Sequence, residues 1–373
     1  MPHLSPRPIH SMKIKPLILI ICMTATYGCS KQSAEQTVPI EELSSIVVPA
    51  ADDCNLFSPI IIKNDTVIGR SINPDYLFTK TVITPEGMNG DEGIYKNGHG
   101  PYEAKGAALS SDKDGNLYIL KTDYGRVCAL YKIPDDSLLH SPEQWIRFPL
   151  QNLPLTRHGD ITFVVVDDDN IMIIGDTFKN PSSIVSLIDY KRQELKPVGL
   201  WPDDGFSGNP YLKLKVYASN ASLFSNNNGK YVFTTRDSEY SVIFTLKDDK
   251  AQILKYIYNT PIEYREDAPD KVKFLPPKTF AIRASADQTG IYILHLDKDL
   301  KHQVPSSPSY DVALGDRVDV FDWEGNLSRS IKLDNIGYDI HIANNGTTLY
   351  MLFLDPDTGQ MKVAIYDIAE NKQ

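Results

Sequence analysis

A turn rich in Asp, Asn and Gly runs straight into an apolar β segment, and this pair recurs along the chain. The clearest copy is Asp112-Lys113-Asp114-Gly115-Asn116-Leu117-Tyr118-Ile119-Leu120. Others begin at Asp167, Asn226, Ala286 and Asn344, and Asn64-Asp65-Thr66-Val67-Ile68-Gly69 is a weaker sixth. The first apolar residues are Val67, Leu117, Ile171, Tyr231, Ile291 and Leu349, so the steps are 50, 54, 60, 60 and 58 residues. Self-similarity at this period is the mark of a repeat architecture, with one four-stranded sheet per copy. The turn has a physical cause: Asn, Asp and Gly tolerate the positive φ of a tight hairpin, and the Tyr, Ile, Val and Leu that follow suit a sheet packed on both faces.

Short apolar segments flank each copy, as in Ala107–Leu109 and Val127–Ile133, and hardly any amphipathic helix separates them. The pattern predicts an all-β fold, a six-bladed β-propeller spanning residues 43–373. The last copy offers only three strands, near Asp339–Ile342, Leu349–Phe353 and Val363–Ile368. Its fourth is expected from the other end of the chain, with Leu43-Ser44-Ser45-Ile46-Val47-Val48 closing the ring and covering an open sheet edge.

Ahead of this domain, Met12 followed by Lys13, Lys15 and the apolar run Leu17–Met23 reads as an export signal, too short to span a bilayer permanently. Residues 1–11 fit no part of a signal and read as an upstream mis-called start. Gly28-Cys29, after Thr26-Tyr27, resembles a bacterial lipobox, in which Cys29 is the lipidation site. Residues 30–42 are mostly polar and read as a flexible tether. The expected location is the bacterial cell envelope, on the periplasmic or outer-membrane face, with membrane contact through the lipid anchor only. In that compartment Cys54 and Cys128 are open to a disulfide, or remain two separate buried thiols.

The net charge of −10 argues against a nucleic-acid surface, since the longest basic cluster is Lys191-Arg192. No phosphate loop, His-Glu-x-x-His motif or zinc-ligand spacing is present, so no cofactor is required by the sequence. Gly205-Phe206-Ser207-Gly208-Asn209 lacks the last glycine of a nucleophile elbow. Asp112, Asp114 and Asn116 alternate like calcium ligands, with Asp123 twelfth, but Leu117 stands where the sharp-turn glycine belongs; a hairpin turn is the better reading.

The stretches Asn97-Gly98-His99-Gly100-Pro101-Tyr102-Glu103, Asp112–Tyr118, Val318–Asn326 and Leu349-Tyr350 together resemble the TolB-like six-bladed propeller lipoproteins, over roughly residues 55–370. The resemblance implies fold and location and carries no catalytic residue. His99 stands where a basic residue such as Arg is frequent in that family.

A site in such a fold belongs in the central funnel, lined by the first strand of each blade. Counting ten residues back from five of the aligned positions gives Ala107, Ile161, Ala221, Ala281 and Asp339. Polar residues near these points are the candidate ligand-binding set: His99, Glu103, Arg157, His158, Asp160, Arg283, Asp339 and His341, with Tyr217, Lys278 and Tyr338 beside them. This mixture suits an anionic or polyhydroxylated ligand, or a metal held by His and Asp. The 20 tyrosines invite a sugar-stacking reading, but Tyr118, Tyr231, Tyr292 and Tyr350 belong to the repeat and read as packing.

Three functions follow. The first is a non-enzymatic binding or scaffold lipoprotein for an envelope protein, peptide or glycan. The second is a metal-dependent gluconolactonase-like hydrolase, which requires at least three of Glu103, Asp160, Asp339, His158 and His341 to meet at one point. The third is a structural envelope protein with an apolar or plugged funnel and an exposed apolar rim patch.

Overall fold

The computed structural model describes residues 38–49, 56–63, 65–84, 86–123, 126–150, 153, 162–174, 183–218, 221–236, 240–260, 263–268, 271–275, 280–303, 311–343, 346–355 and 361–369. The signal and lipobox residues, Cys54, Arg157, His158, Asp160 and Lys278 lie outside this set. Each of the six copies found in the sequence supplies the second strand of an antiparallel four-stranded blade.

Blade 1 is built from Leu56–Lys63, Thr66–Ser71, Tyr76–Thr84 and Gly87–Lys96, and blade 2 from Gly106–Ser111, Leu117–Asp123, Arg126–Ile133 and Ile146–Pro149. Blade 3 follows with Phe163–Val165, Asn170–Ile174, Val185–Asp189 and Glu194–Pro197, and blade 4 with Ala221–Ser225, Lys230–Thr235, Tyr240–Lys247 and Lys250–Asn259. Blade 5 comprises Phe280–Ala286, Ile291–Gln303, Asp311–Phe321 and Leu327–Gly337. Blade 6 has Asp339–Ile342, Thr348–Leu354 and Met361–Asp367, and its outermost strand is Ile46–Pro49. The first strands of successive blades adjoin one another, and Asp339–Ile342 returns to Leu56–Lys63, so the ring is closed.

The near-continuous apolar runs are explained by packing on both faces. In blade 3, Ile171 and Ile173 enter the core against blade 2, whereas Met172 and Ile174 enter the core against blade 4. Likewise Ile291 and Ile293 face blade 4, and Tyr292 and Leu294 face blade 6. Six such cores fill the six junctions, so the period-two alternation partitions each strand between two neighbours. Tyr118, Tyr231, Tyr292 and Tyr350 are all buried in these cores.

The turns behave as their composition demands. Asp112 Oδ1 accepts the backbone N–H groups of Asp114 and Asn116 at 3.0 and 2.9 Å, and Oδ2 accepts Asn116 Nδ2 at 2.8 Å. Gly115 takes φ +82°, the left-handed conformation that a side chain would strain. The carboxylate is thus consumed by its own hairpin rather than arranged around a cation.

Closure uses more of the N-terminal segment than one strand. Ile46–Pro49 pairs antiparallel with Met361–Asp367, with Ile46 opposite Ile365 and Pro49 opposite Lys362. Ile40–Leu43, ahead of the expected start at Leu43, adds to blade 5 as a fifth strand parallel to Leu327–Gly337. One segment therefore straddles two blades. Between them Ser45 donates its backbone N–H to Asp334 Oδ2 at 3.0 Å and accepts Asn335 Nδ2 at 2.8 Å.

Two elements depart from the repeat: a helix, Pro210–Ala218, between blades 3 and 4, and a two-stranded sheet, Tyr264–Ala268 with Lys271–Phe274, between blades 4 and 5. The helix buries Leu212, Lys213, Leu214, Val216, Tyr217 and Ala218, so it is covered nearly all round and carries no amphipathic period to betray it in sequence. Lys213 Nζ meets Asp204 Oδ1 at 2.8 Å, 5.1 Å from the centre of the Trp201 ring, and the Tyr264 hydroxyl donates to Asp204 Oδ2 at 2.9 Å. This buried cluster ties helix, loop and small sheet together.

Candidate functional site

The first strands of the blades surround a central cavity of about 510 Å³ that runs to the turns ending those strands. Ala107, Ala221, Ala281 and Asp339, four of the five positions counted from the sequence, lie on these first strands, and Ile161 lies outside the described residues. Neighbouring blades are stitched to one another across the junctions. Ser285 Oγ accepts the Ile342 N–H at 3.0 Å, Thr162 Oγ1 donates to the Ala221 carbonyl at 3.3 Å, and the Ile282 N–H donates to the Arg236 carbonyl at 3.0 Å.

The polar focus of the cavity lies at the junction of blades 5 and 6. Arg283 reaches it from Phe280–Ala286, and Asp339 and His341 from alternate positions of Asp339–Ile342, which puts both on one face of that strand. His341 Nε2 is 3.4 Å from Asp339 Oδ2, an ion-pair distance without hydrogen-bond geometry. Burial opposes ionisation of Asp339, but the adjacent His341 side chain and the Arg283 charge outweigh it and hold the carboxyl below its usual value. Burial, with the Asp339 charge beside it, pushes the Tyr338 hydroxyl well above the ordinary tyrosine range.

Arg283 Nε and His341 Nε2 are both buried and both lack a hydrogen-bond partner. Farther along the cavity, Asp287 Oδ1 accepts the N–H groups of Thr289 and Gly290 and the Thr289 hydroxyl, while its buried Oδ2 accepts none. Unpaired buried groups of this kind are uncommon and each carries a desolvation cost of about 1–3 kcal/mol.

No family model matches the chain, and no curated protein is similar to it. Among solved structures, it is similar to an oligogalacturonate lyase in complex with manganese, at 10% identity and a TM-score of 0.41 over 85% of this chain and 77% of that one. It is also similar to the structure of U3-55K, at 8% identity and 0.40 over 86% and 99% of the two chains. A fungal alcohol oxidase of the AA5 family in complex with copper gives 10% identity and 0.44 over 87% and 75%. Likenesses so distant do not bear on chemistry; the six-bladed fold stands on the strand pairing itself.

The other sequence candidates divide. Glu103 stands away from the cavity, on the connection between blades 1 and 2: its Oε2 accepts the Gly100 N–H at 2.8 Å, and its carbonyl accepts Lys121 Nζ at 2.6 Å. A Cβ on Gly98 would lie 1.9 Å from that carboxylate, so a side chain there would displace the Glu103 carboxyl from its place in the turn. His99 sits in the same turn. Tyr217 is a core residue, packed edge-on against Tyr240 with ring centres 5.6 Å apart. Of the five residues whose convergence a metal-dependent hydrolase requires, Asp339 and His341 meet, Glu103 lies elsewhere, and His158 and Asp160 are outside the described residues. Among the described residues no group of three or more His, Cys, Asp or Glu is placed to hold a metal ion. Asp287 escaped the sequence reading because it follows the strand and looks like an ordinary turn residue.

Proposed function

We propose that the protein is a non-enzymatic binding propeller whose central cavity takes a small hydroxy acid or sugar acid. The observation that carries this reading is the pair of buried nitrogens that make no hydrogen bond, Arg283 Nε and His341 Nε2, beside Asp339 in a cavity of about 510 Å³. The volume falls in the range of roughly 300–1,000 Å³ typical of small-molecule sites. A ligand carboxylate supplies the acceptor that Arg283 Nε lacks, and Arg binds carboxylates with directional, charge-assisted hydrogen bonds. Ligand hydroxyls suit Asp339, His341 and the hydroxyl groups of Ser110, Ser222 and Ser285, which line the same cavity.

The Gly28-Cys29 lipobox and the preceding apolar run support placement at the cell envelope as a lipid-anchored member of the TolB-like propeller lipoproteins. Among the described residues no helix is long and apolar enough to cross a membrane.

Calorimetric titration of protein beginning at Ser30 with a panel of hydroxy acids and sugar acids tests the proposal. At least one acid should bind, and Arg283→Met should weaken it by about ten-fold or more, the loss of one charge-assisted contact. No binder in the panel, or binding indifferent to Arg283→Met, removes the reading. Elemental analysis with melting in EDTA runs alongside: a stoichiometric metal whose chelation lowers the melting temperature would favour the hydrolase instead.

A further inference from the structure

A second polar and aromatic surface lies outside the central cavity, where blades 1 and 2 meet. Two adjoining pockets of about 600 and 410 Å³ share Pro101, Tyr102 and Pro142 as the ridge between them. The first is walled by Tyr131 and Trp145 and the second by Tyr76 and Tyr95. Tyr95, Tyr131 and Trp145 form one ring cluster, with centres 5.3 to 6.2 Å apart, and Trp145 Nε1 is fixed by the Leu138 carbonyl at 2.7 Å. Tyr102 stands over the ridge half exposed, at 50%. Tyr95, Tyr131 and Trp145 are buried core residues of this junction that floor the pockets, so the exposed aromatic face is that of Tyr102.

The polar groups of the first pocket have mixed charge. Asp123 and Glu143 line it together with Lys121 and Arg147. Lys121 is engaged by the Glu103 carbonyl, whereas Asp123 Oδ1 is buried and accepts no hydrogen bond. A cationic occupant meets Lys121 and Arg147, and an anionic one meets Asp123 and Glu143. A neutral polyhydroxylated ring satisfies both sets, because each hydroxyl donates and accepts. Its flat C–H face also matches Tyr102 and the two prolines, where a charged group would be desolvated without compensation. Two adjoining pockets on either side of one exposed ring suit two such units joined in a chain.

We infer that this surface binds a neutral oligosaccharide, one sugar ring on either side of Tyr102 and a hydroxyl donating to Asp123. The site is independent of the acid proposed for the central cavity, and its test keeps the two apart.

Protein beginning at Ser30 is titrated with neutral trisaccharides of glucose, xylose, mannose and N-acetylglucosamine. At least one binds. Tyr102→Ala, an exposed position that leaves the melting temperature unchanged, weakens it by about ten-fold, as expected for a lost stacking face. Asp123→Asn weakens it by about five-fold or more through loss of a charged acceptor. Arg283→Met leaves it unchanged. The inference is overturned if none of the trisaccharides binds, if binding survives both Tyr102→Ala and Asp123→Asn, or if Arg283→Met abolishes it.

Discussion

Arg329 and Glu41 are 288 residues apart in the chain, and their side chains meet through two hydrogen bonds, Nη2 to Oε2 at 2.7 Å and Nε to Oε2 at 3.1 Å. The same guanidinium donates through Nη1 to the Ile368 carbonyl at 2.7 Å. One side chain thus links the N-terminal strand, the last strand of blade 5 and the end of blade 6. A ring closed by non-covalent pairing between distant segments is held at its seam, where a charge-assisted contact limits fraying.

Replacing Arg329 by Ala should therefore lower stability by more than a surface ion pair does. Both partners keep some solvent access, with Glu41 38% exposed, so the coupling is discounted to about 1 kcal/mol, with the Ile368 contact adding about as much. A double-mutant cycle with Glu41→Ala, read from denaturant midpoints, checks this. Zero coupling would place the seam's strength wholly in the strand pairing.

The Asp204–Lys213 pair is of a different kind. Its side chains are 2% and 5% exposed, so removing one partner strands a buried charge. Asp204→Ala should cost about 3–5 kcal/mol, whereas Asp204→Leu combined with Lys213→Met should cost far less, because an apolar pair leaves no charge behind. Equilibrium unfolding of the three proteins separates these outcomes. A double variant as weak as the single one would mean that Tyr264 and Trp201 need the charges to hold their positions.

Much of the fold is legible because one physical rule governs every blade. Wherever a strand is covered on both faces, the sequence shows a continuous apolar run introduced by turn residues, and Ile171–Ile174 and Ile291–Leu294 obey it. The helix at Pro210–Ala218 breaks no such rule but follows none either, since a nearly all-round buried helix with an internal Lys has no periodic face. Ile40–Leu43 is similarly silent: its pattern fits a tether until Arg329 and the parallel pairing claim it. In the cavity, Arg283, Asp339 and His341 are found by counting back along the repeat. The groove around Tyr102 and Asp123 comes from a long connection packed onto a blade, and no spacing in the sequence joins those residues.

Glycine at 315 is required by a backbone contact rather than by its torsion. A Cβ there would lie 1.8 Å from the His295 carbonyl oxygen and 2.8 Å from its carbon, and neither atom belongs to a side chain that can swing away. Gly315→Ala should push Asp311–Phe321 away from Ile291–Gln303 and cost about 3 kcal/mol, near the upper end for overpacking. The denaturant midpoint reports it. A change below about 0.5 kcal/mol, the ordinary range of surface substitutions, would show that the paired strands accommodate the methyl group by a small shift.

Acid should weaken the fold through a definable set of carboxylates. In Asp204, Asp319, Asp334 and Asp339 burial alone favours the neutral form, and in each it is outweighed: by Lys213 and the Phe206 N–H, by His295 and Ser330, by the Ser45 N–H and Tyr366, and by His341 and Arg283. Each folded carboxyl therefore titrates below its unfolded value of about 3.9. As pH falls toward that value the unfolded chain takes up protons first, so protonation favours unfolding, and the stabilisation present above it is lost progressively below. Unfolding free energy should be nearly flat from about pH 7 to 5 as far as these groups are concerned, and should fall steeply below about pH 4. Asp204→Asn, which cannot titrate, should start less stable at neutral pH and lose less between about pH 4 and 3. Urea midpoints measured at pH 7, 5, 4 and 3 provide the test; a variant whose acid slope equals that of the parent would assign the loss to the other carboxylates.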